Sequence, residues 1–157
     1  MDDWETRVAA VWADADELTD DTVLARIDAL VAERADTAEA LLEAAGARDY
    51  LGLESEAEPL YRAALARGLT GDREAQATIQ LASTLRNLGE VDESIALLQQ
   101  RLEEHPDDAW AAPALAFLSL ALASHGDHVA ATSVALTALA GYLPAYSRSV
   151  KAYAAEL

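Results

Sequence analysis

Three glycines recur at a fixed period in this chain, and a similar helical segment follows each of them. Gly52, Gly89 and Gly126 are 37 positions apart, and the segments after them are ESEAEPLYRAALARG, EVDESIALLQQRLEEHP and DHVAATSVALTALAG. A period of this size, with two helices in each unit, is typical of helical-hairpin solenoids, in which each unit buries its apolar face only against its neighbours. The repeat therefore predicts an all-α architecture, but it identifies no partner.

The apolar spacing along the chain predicts nine helices in a single domain covering residues 1–157. We expect an N-terminal hairpin over 1–34, three repeats over 36–68, 71–106 and 108–141, and a C-terminal capping helix over 144–157. Pro144 is predicted to open the capping helix, whose apolar side carries Tyr146, Val150, Tyr153 and Leu157. The seventh helix is almost wholly apolar, which favours a helix covered on every side.

Acidic and hydroxyl residues mark the predicted helix starts. Asp20 or Asp21 is expected to cap the second helix and Asp92 the sixth. Asp36 with Glu39, and Ser55 with Glu58, have the spacing of a capping box for the third and fourth helices.

Composition and charge exclude several classes of partner. The chain has a net charge of −17, and its first 60 residues carry seventeen acids against four bases. Such a field repels phosphate, so we expect neither nucleic acid nor membrane as a partner, whereas a basic segment would be attracted. The sequence has no cysteine, its start MDDWETR is acidic, and no apolar run reaches bilayer length. We therefore expect an acidic cytoplasmic protein.

The second glycine unit resembles the tetratricopeptide repeat family. In NLGEVDESIALLQQRLEEHPDD, a small residue (Ser94) and a large apolar residue (Leu98) follow Gly89 at the family's positions, and Pro106 ends the unit. LYRAALARGLTGDREAQATIQLASTLRNLG is also similar to small bacterial members whose role is unassigned. The resemblance implies a right-handed solenoid of antiparallel hairpins, whose first helices line a concave peptide-binding groove.

The resemblance also implies which residues would contact a peptide. The predicted binding residues are Asp49, Tyr50, Gln76, Gln80, Ser83, Arg86, Asn87 and Phe117. Helical spacing independently places Gln76, Gln80, Ser83 and Asn87 in one polar stripe, opposite Leu81, Leu85 and Leu88. A solvated helix face explains this stripe equally well. Lysine is absent before Lys151, which argues against the family's lysine-based grip on acidic tails.

Motifs for catalysis and for metal binding are weak. His125, Asp127 and His128 are close in sequence, but nothing nearby completes a metal shell. No serine elbow, phosphate loop or isolated carboxylate pair stands out. Trp4, Trp12 and Trp110 lie in apolar helix stripes, which favours core packing over ligand stacking. We expect no enzyme activity, cofactor or metal.

The sequence therefore predicts a protein-protein interaction module, a scaffold or adaptor that binds a peptide segment. The alternative from another class is a small-ligand sensor or regulatory domain, with an apolar molecule between the groove and the C-terminal helix. The apolar and nearly uncharged C-terminal third leaves a homodimer and a capped monomer as open alternatives.

Overall fold

The computed structural model describes residues 2–157, and every regular element within them is helical. The helices in chain order are α1 (Asp3–Ala13), α2 (Asp20–Glu33), α3 (Ala38–Tyr50), α4 (Glu54–Ala66), α5 (Asp72–Leu88), α6 (Val91–Glu104), α7 (Ala111–His125), α8 (His128–Ala140) and α9 (Ser147–Ala154). A short 3-10 turn at Ala15–Glu17 lies between α1 and α2. Neighbouring helices pack consecutively, as α1 does on α2, α3 on α4 and α7 on α8. The prediction of an all-α helical repeat is confirmed.

The periodic glycines end helices. Gly52, Gly89 and Gly126 have φ values of 71°, 88° and 98°, a left-handed conformation that costs a glycine little because it has no Cβ. After α5, the Glu90 amide donates a hydrogen bond of 2.9 Å to the Leu85 carbonyl oxygen, which satisfies one of the last acceptors of the helix. The sequence period is therefore a period of helix C-termini.

The predicted caps are wrong in position by one or two residues. Thr19, rather than Asp20 or Asp21, precedes α2. Thr37 caps α3 through a 3.2 Å bond from the Ala40 amide to its Oγ1, while Asp36 has a φ of 72° outside the helix.

The starts of α4 and α6 differ from the predictions in the same way. α4 follows Leu53 and α6 follows Glu90, and neither has a side-chain cap, so Ser55 and Asp92 lie inside first turns. The helix dipole favours acidic residues both at the cap and in the first turn. An acidic residue in the sequence therefore does not show which of these two positions it occupies.

Contacts within the chain group into two compact units, residues up to Ala77 and residues from Thr78 onward, which divide within α5. In the first unit, buried side chains of α1, α2 and α3 form one cluster, which includes Trp4, Val8, Ile27 and Ala47. The Trp4 indole donates a hydrogen bond of 2.8 Å to the Leu30 carbonyl oxygen, which ties α1 to α2. The single domain over 1–157 stays a prediction.

The core of the second unit joins α5, α6 and α7. Its buried members are Ile79 and Ala82 of α5, Leu98 of α6, and Ala114 and Leu118 of α7. Leu98 is fully buried, as expected for the large position of a repeat.

The C-terminal helices differ from the expectation of full coverage. Leu120 of α7 is nearly half exposed, so the helices of one chain do not cover α7 on every side. α9 starts at Ser147, not at Pro144, because the left-handed Tyr146 separates the proline from the helix. Ala154 is its buried residue, and Ser133 Oγ donates a bond of 2.7 Å to the Ala154 carbonyl oxygen. The small residue packs inward, and the tyrosine side faces solvent.

Candidate functional site

Four of the predicted binding residues lie on the part of α5 that belongs to the second unit, and we call them the α5 surface: Gln80, Ser83, Arg86 and Asn87. Gln80, Ser83 and Arg86 are half-buried and Asn87 is exposed. Arg86 Nη2 donates a hydrogen bond of 2.8 Å to Asn87 Oδ1. Of the predicted apolar face of α5, Leu81 and Leu85 are buried, whereas Leu88 is 37% exposed.

Two polar atoms of the α5 surface are buried without a hydrogen-bond partner, Gln80 Oε1 and Arg86 Nε. The first is an acceptor and the second a donor, and their residues are six positions apart, which corresponds to a rise of about 9 Å along the helix. Buried polar groups are nearly always paired, so unpaired ones need an explanation, such as a ligand or water. The α5 surface has unused hydrogen-bonding capacity on two successive turns.

Phe117, the predicted binding residue on α7, lies against the core of the second unit. It is half-buried and packs against the cluster that contains Ile79 and Ala82 of α5. Its ring therefore has a packing role within the three-helix core and also retains some exposure.

The remaining predicted residues, Asp49, Tyr50 and Gln76, lie in the first unit. Asp49 is half-buried, and its Oδ2 accepts a hydrogen bond of 3.3 Å from the Tyr61 hydroxyl. Burial, together with the nearby Asp49 charge, raises the pKa of Tyr61 well above its usual range. Asp49 therefore has a structural bond that ties α3 to α4. Gln76 lies half-buried on the first turns of α5.

A polar network in the first unit was missed by the sequence analysis. Trp12 Nε1 donates a hydrogen bond of 2.8 Å to Glu43 Oε2, and Arg73 Nη1 lies 3.6 Å from Glu43 Oε1. Burial raises the pKa of Glu43, opposed by the bond from Trp12 and the charge of Arg73. Tyr50 meets the Trp12 ring edge to face, with centroids 5.9 Å apart. These contacts join residues thirty or more positions apart, so no local pattern could have indicated them.

The histidine group near Gly126 has a different arrangement from a metal site. His125 Nε2, at the end of α7, lies 3.4 Å from Asp92 Oδ1 in the first turn of α6. Within residues 2–157, no group of three or more histidine, aspartate or glutamate side chains could hold a metal ion. No helix in the same range has both the length and the hydropathy to cross a membrane.

Comparison with known families identifies the repeat. The family model described as "Tetratrico peptide repeat" matches residues 38–157, which include α3 to α9. The chain belongs to the tetratricopeptide repeat family. The match begins at α3, so the N-terminal hairpin of α1 and α2 lies outside it. The resemblance found in the sequence is confirmed.

Membership in the tetratricopeptide repeat family suggests a general class of function. Repeats of this family are typically non-enzymatic scaffolds for protein-protein interaction. No curated protein matches this chain. We therefore treat the identity of a partner, and the residues that contact it, as proposals.

Proposed function

We propose that this protein is a non-enzymatic adaptor that binds an extended segment of a partner protein along the α5 surface. The observation that supports this most directly is the pair of unpartnered buried atoms, Gln80 Oε1 and Arg86 Nε. An extended peptide backbone presents alternating N–H and C=O groups, so one such segment can supply a donor to the glutamine and an acceptor to the arginine. Family membership supports the class of partner.

Gln80 and Arg86 are suited to forming hydrogen bonds with a peptide backbone because each residue is only half-buried. Binding would require each side chain to turn so that its unpaired atom reaches the surface. The gain would exceed that of an ordinary exposed hydrogen bond, since the cost of leaving these atoms unpaired is already present in the unbound protein.

The experiment is selection of binding peptides from a displayed random library, followed by affinity measurement on variants. We expect the double variant Arg86→Ala/Asn87→Ala to weaken binding of selected peptides by about 1 to 3 kcal/mol. Gln99→Ala, at an exposed glutamine on α6, is the matched control and should leave affinity unchanged. Peptides that bind the double variant and the wild type equally would show that another surface is used.

We further propose that the partner carries a basic segment. Seventeen acids against four bases in the first 60 residues create a strongly negative field there. This field would raise the association rate of a cationic segment and would weaken as salt is added. The cytoplasmic location stays a prediction that accompanies this proposal.

A second copy of the chain is the other partner that we propose, bound through the C-terminal side of the second unit. The C-terminal third of the chain has six large apolar side chains that are each more than half exposed: Val129, Leu139, Tyr142, Tyr146, Tyr153 and Leu157. Residues 109–157 carry two acids and two bases, so two copies can approach here without the repulsion that a total charge of −17 produces elsewhere. Exposed apolar surface of this kind favours a symmetric pairing.

A further inference from the structure

Trp12 and Tyr50 form an aromatic corner at the surface of the first unit. Their ring planes lie at 73° with centroids 5.9 Å apart, Trp12 is half-buried and Tyr50 is 47% exposed. Gly46 lies beside the indole, where a Cβ would be in ordinary van der Waals contact, 3.6 Å from Trp12 Cζ2. Glu43, Gly46 and Tyr50 follow each other at three and four positions on α3, so the indole lies across one face of that helix. The corner is therefore built by both α1 and α3.

Carboxylates make the aromatic corner attractive to a cation. The Trp12 N–H donates to Glu43, and a hydrogen bond to an anion increases the electron density of the indole ring. The face of an aromatic ring is already negative, and it attracts ammonium and guanidinium groups within about 6 Å of the centroid. Arg73 already lies near this carboxylate, with its Nη1 3.6 Å from Glu43 Oε1 and its Nη2 2.8 Å from Glu5 Oε1.

The same hairpin already holds an arginine over an indole. The guanidinium carbon of Arg34 lies 4.9 Å from the centroid of the Trp4 ring, and Arg34 also pairs with Asp2. Trp4 is buried, and its cation comes from the chain itself. Trp12 has a carboxylate as a partner but remains partly open to solvent, with a tyrosine where Trp4 has an arginine.

We propose that the aromatic corner binds an arginine side chain from a basic segment of a partner protein. Arginine fits better than lysine because its planar guanidinium stacks on aromatic rings and donates to carboxylates at the same time. This inference rests on the proposal that the partner carries a basic segment, but not on the α5 surface. Trp12 lies outside the part of the chain that matches the family model, so the site would be a feature of this chain.

The test is a titration of isotopically labelled protein with a short arginine-rich peptide, at about 0.15 M salt to screen long-range attraction. The indole N–H signals of the three tryptophans are followed, and Trp12→Phe assigns the signal of interest. We expect the arginine peptide to shift the Trp12 signal, and a citrulline peptide of the same length, which is neutral, to leave it in place. Tyr50→Ala should weaken the arginine affinity about 2- to 5-fold, and Tyr50→Phe should retain it.

Tyr50→Ala removes no charge, so it separates the aromatic corner from diffuse attraction to the acidic surface. Equal affinity in Tyr50→Ala and wild type would overturn the proposal, as would an unmoved Trp12 signal. Tyr50→Phe, which keeps the ring and also removes no charge, is the matched control and should bind as wild type does. If the aromatic corner does not bind arginine, the proposal for the α5 surface still stands, because that surface is tested with different peptides and variants.

Discussion

Ser94 Oγ donates a hydrogen bond of 2.6 Å to the backbone carbonyl oxygen of Ala82, and this bond joins α6 to α5. Ser94 is 1% exposed. Because its side chain is small, the two helices can approach each other closely, and its hydroxyl group forms a hydrogen bond inside their interface. We expect Ser94→Ala to lower the free energy of unfolding by about 1 kcal/mol, because one buried hydrogen bond is lost. Urea denaturation measures this. Ser94→Leu should cost more, since the larger side chain overpacks the interface. A leucine variant as stable as wild type would contradict this account of the position.

Leu98 is the large residue of the same repeat, and it is fully buried in the core of the second unit. Leu98→Ala should lower the free energy of unfolding by roughly 2 to 5 kcal/mol, because the lost methyl groups leave a cavity. Gln99→Ala, next along α6 and exposed, is the control and should change stability little. A loss below about 0.5 kcal/mol for Leu98→Ala would mean that the core does not depend on this position.

Arg101 is 5% exposed and forms an ion pair with Asp108, while its Nε and Nη1 atoms are buried without partners. Asp108→Asn should lower the free energy of unfolding at neutral pH by about 1 to 3 kcal/mol, because the buried guanidinium loses its charged partner. Asp107→Asn, the same change at the exposed neighbouring residue, is the control. Thermal or urea unfolding of both variants gives the comparison.

The same pair predicts a pH dependence. The hydrogen bond from Arg101 holds the pKa of Asp108 below its ordinary value of 3.8. Because the folded pKa is the lower one, the pair's contribution to stability is complete above the unfolded pKa and is lost as pH falls through the folded pKa. Wild type should therefore lose more stability than Asp108→Asn on acidification below about pH 4. Parallel losses in the two proteins would show that the carboxylate makes no such contribution.

Tyr153 is 67% exposed on α9, and Tyr146 before the helix and Leu157 after it are also exposed. If this side binds a second copy, wild type should have the mass of a dimer in light scattering at micromolar concentration. Tyr153→Glu should convert the dimer to monomer, because two added charges would face each other across a two-fold interface. Ala152→Glu adds the same charge at an exposed position on another side of α9 and should remain dimeric. A monomeric wild type, at low and high salt alike, would rule out this dimer.

Much of the fold could be predicted because its signals are local. Gly89 ends α5 and Gly126 ends α7, and helical spacing correctly separates buried Leu81 and Leu85 from the polar side of α5. The candidate site could be predicted less well. Phe117 has a packing role and Asp49 bonds to Tyr61, whereas Trp12 packs against the core as predicted but also contacts Glu43 and Tyr50, which the sequence did not indicate. Binding at the eight predicted residues stays a prediction.

The sequence by itself determined the helices, their period and the family, since each of these depends on residues within one or two turns of each other or on a repeat that can be counted. Tertiary structure determined which residues come into contact although they are far apart in the sequence. It brought Trp12 to Glu43, turned the tyrosine side of α9 to solvent by burying Ala154, and left Gln80 Oε1 and Arg86 Nε buried without partners. Packing makes these choices because a helix with apolar or polar residues on several sides can bury any one of them, and only its neighbours in space determine which.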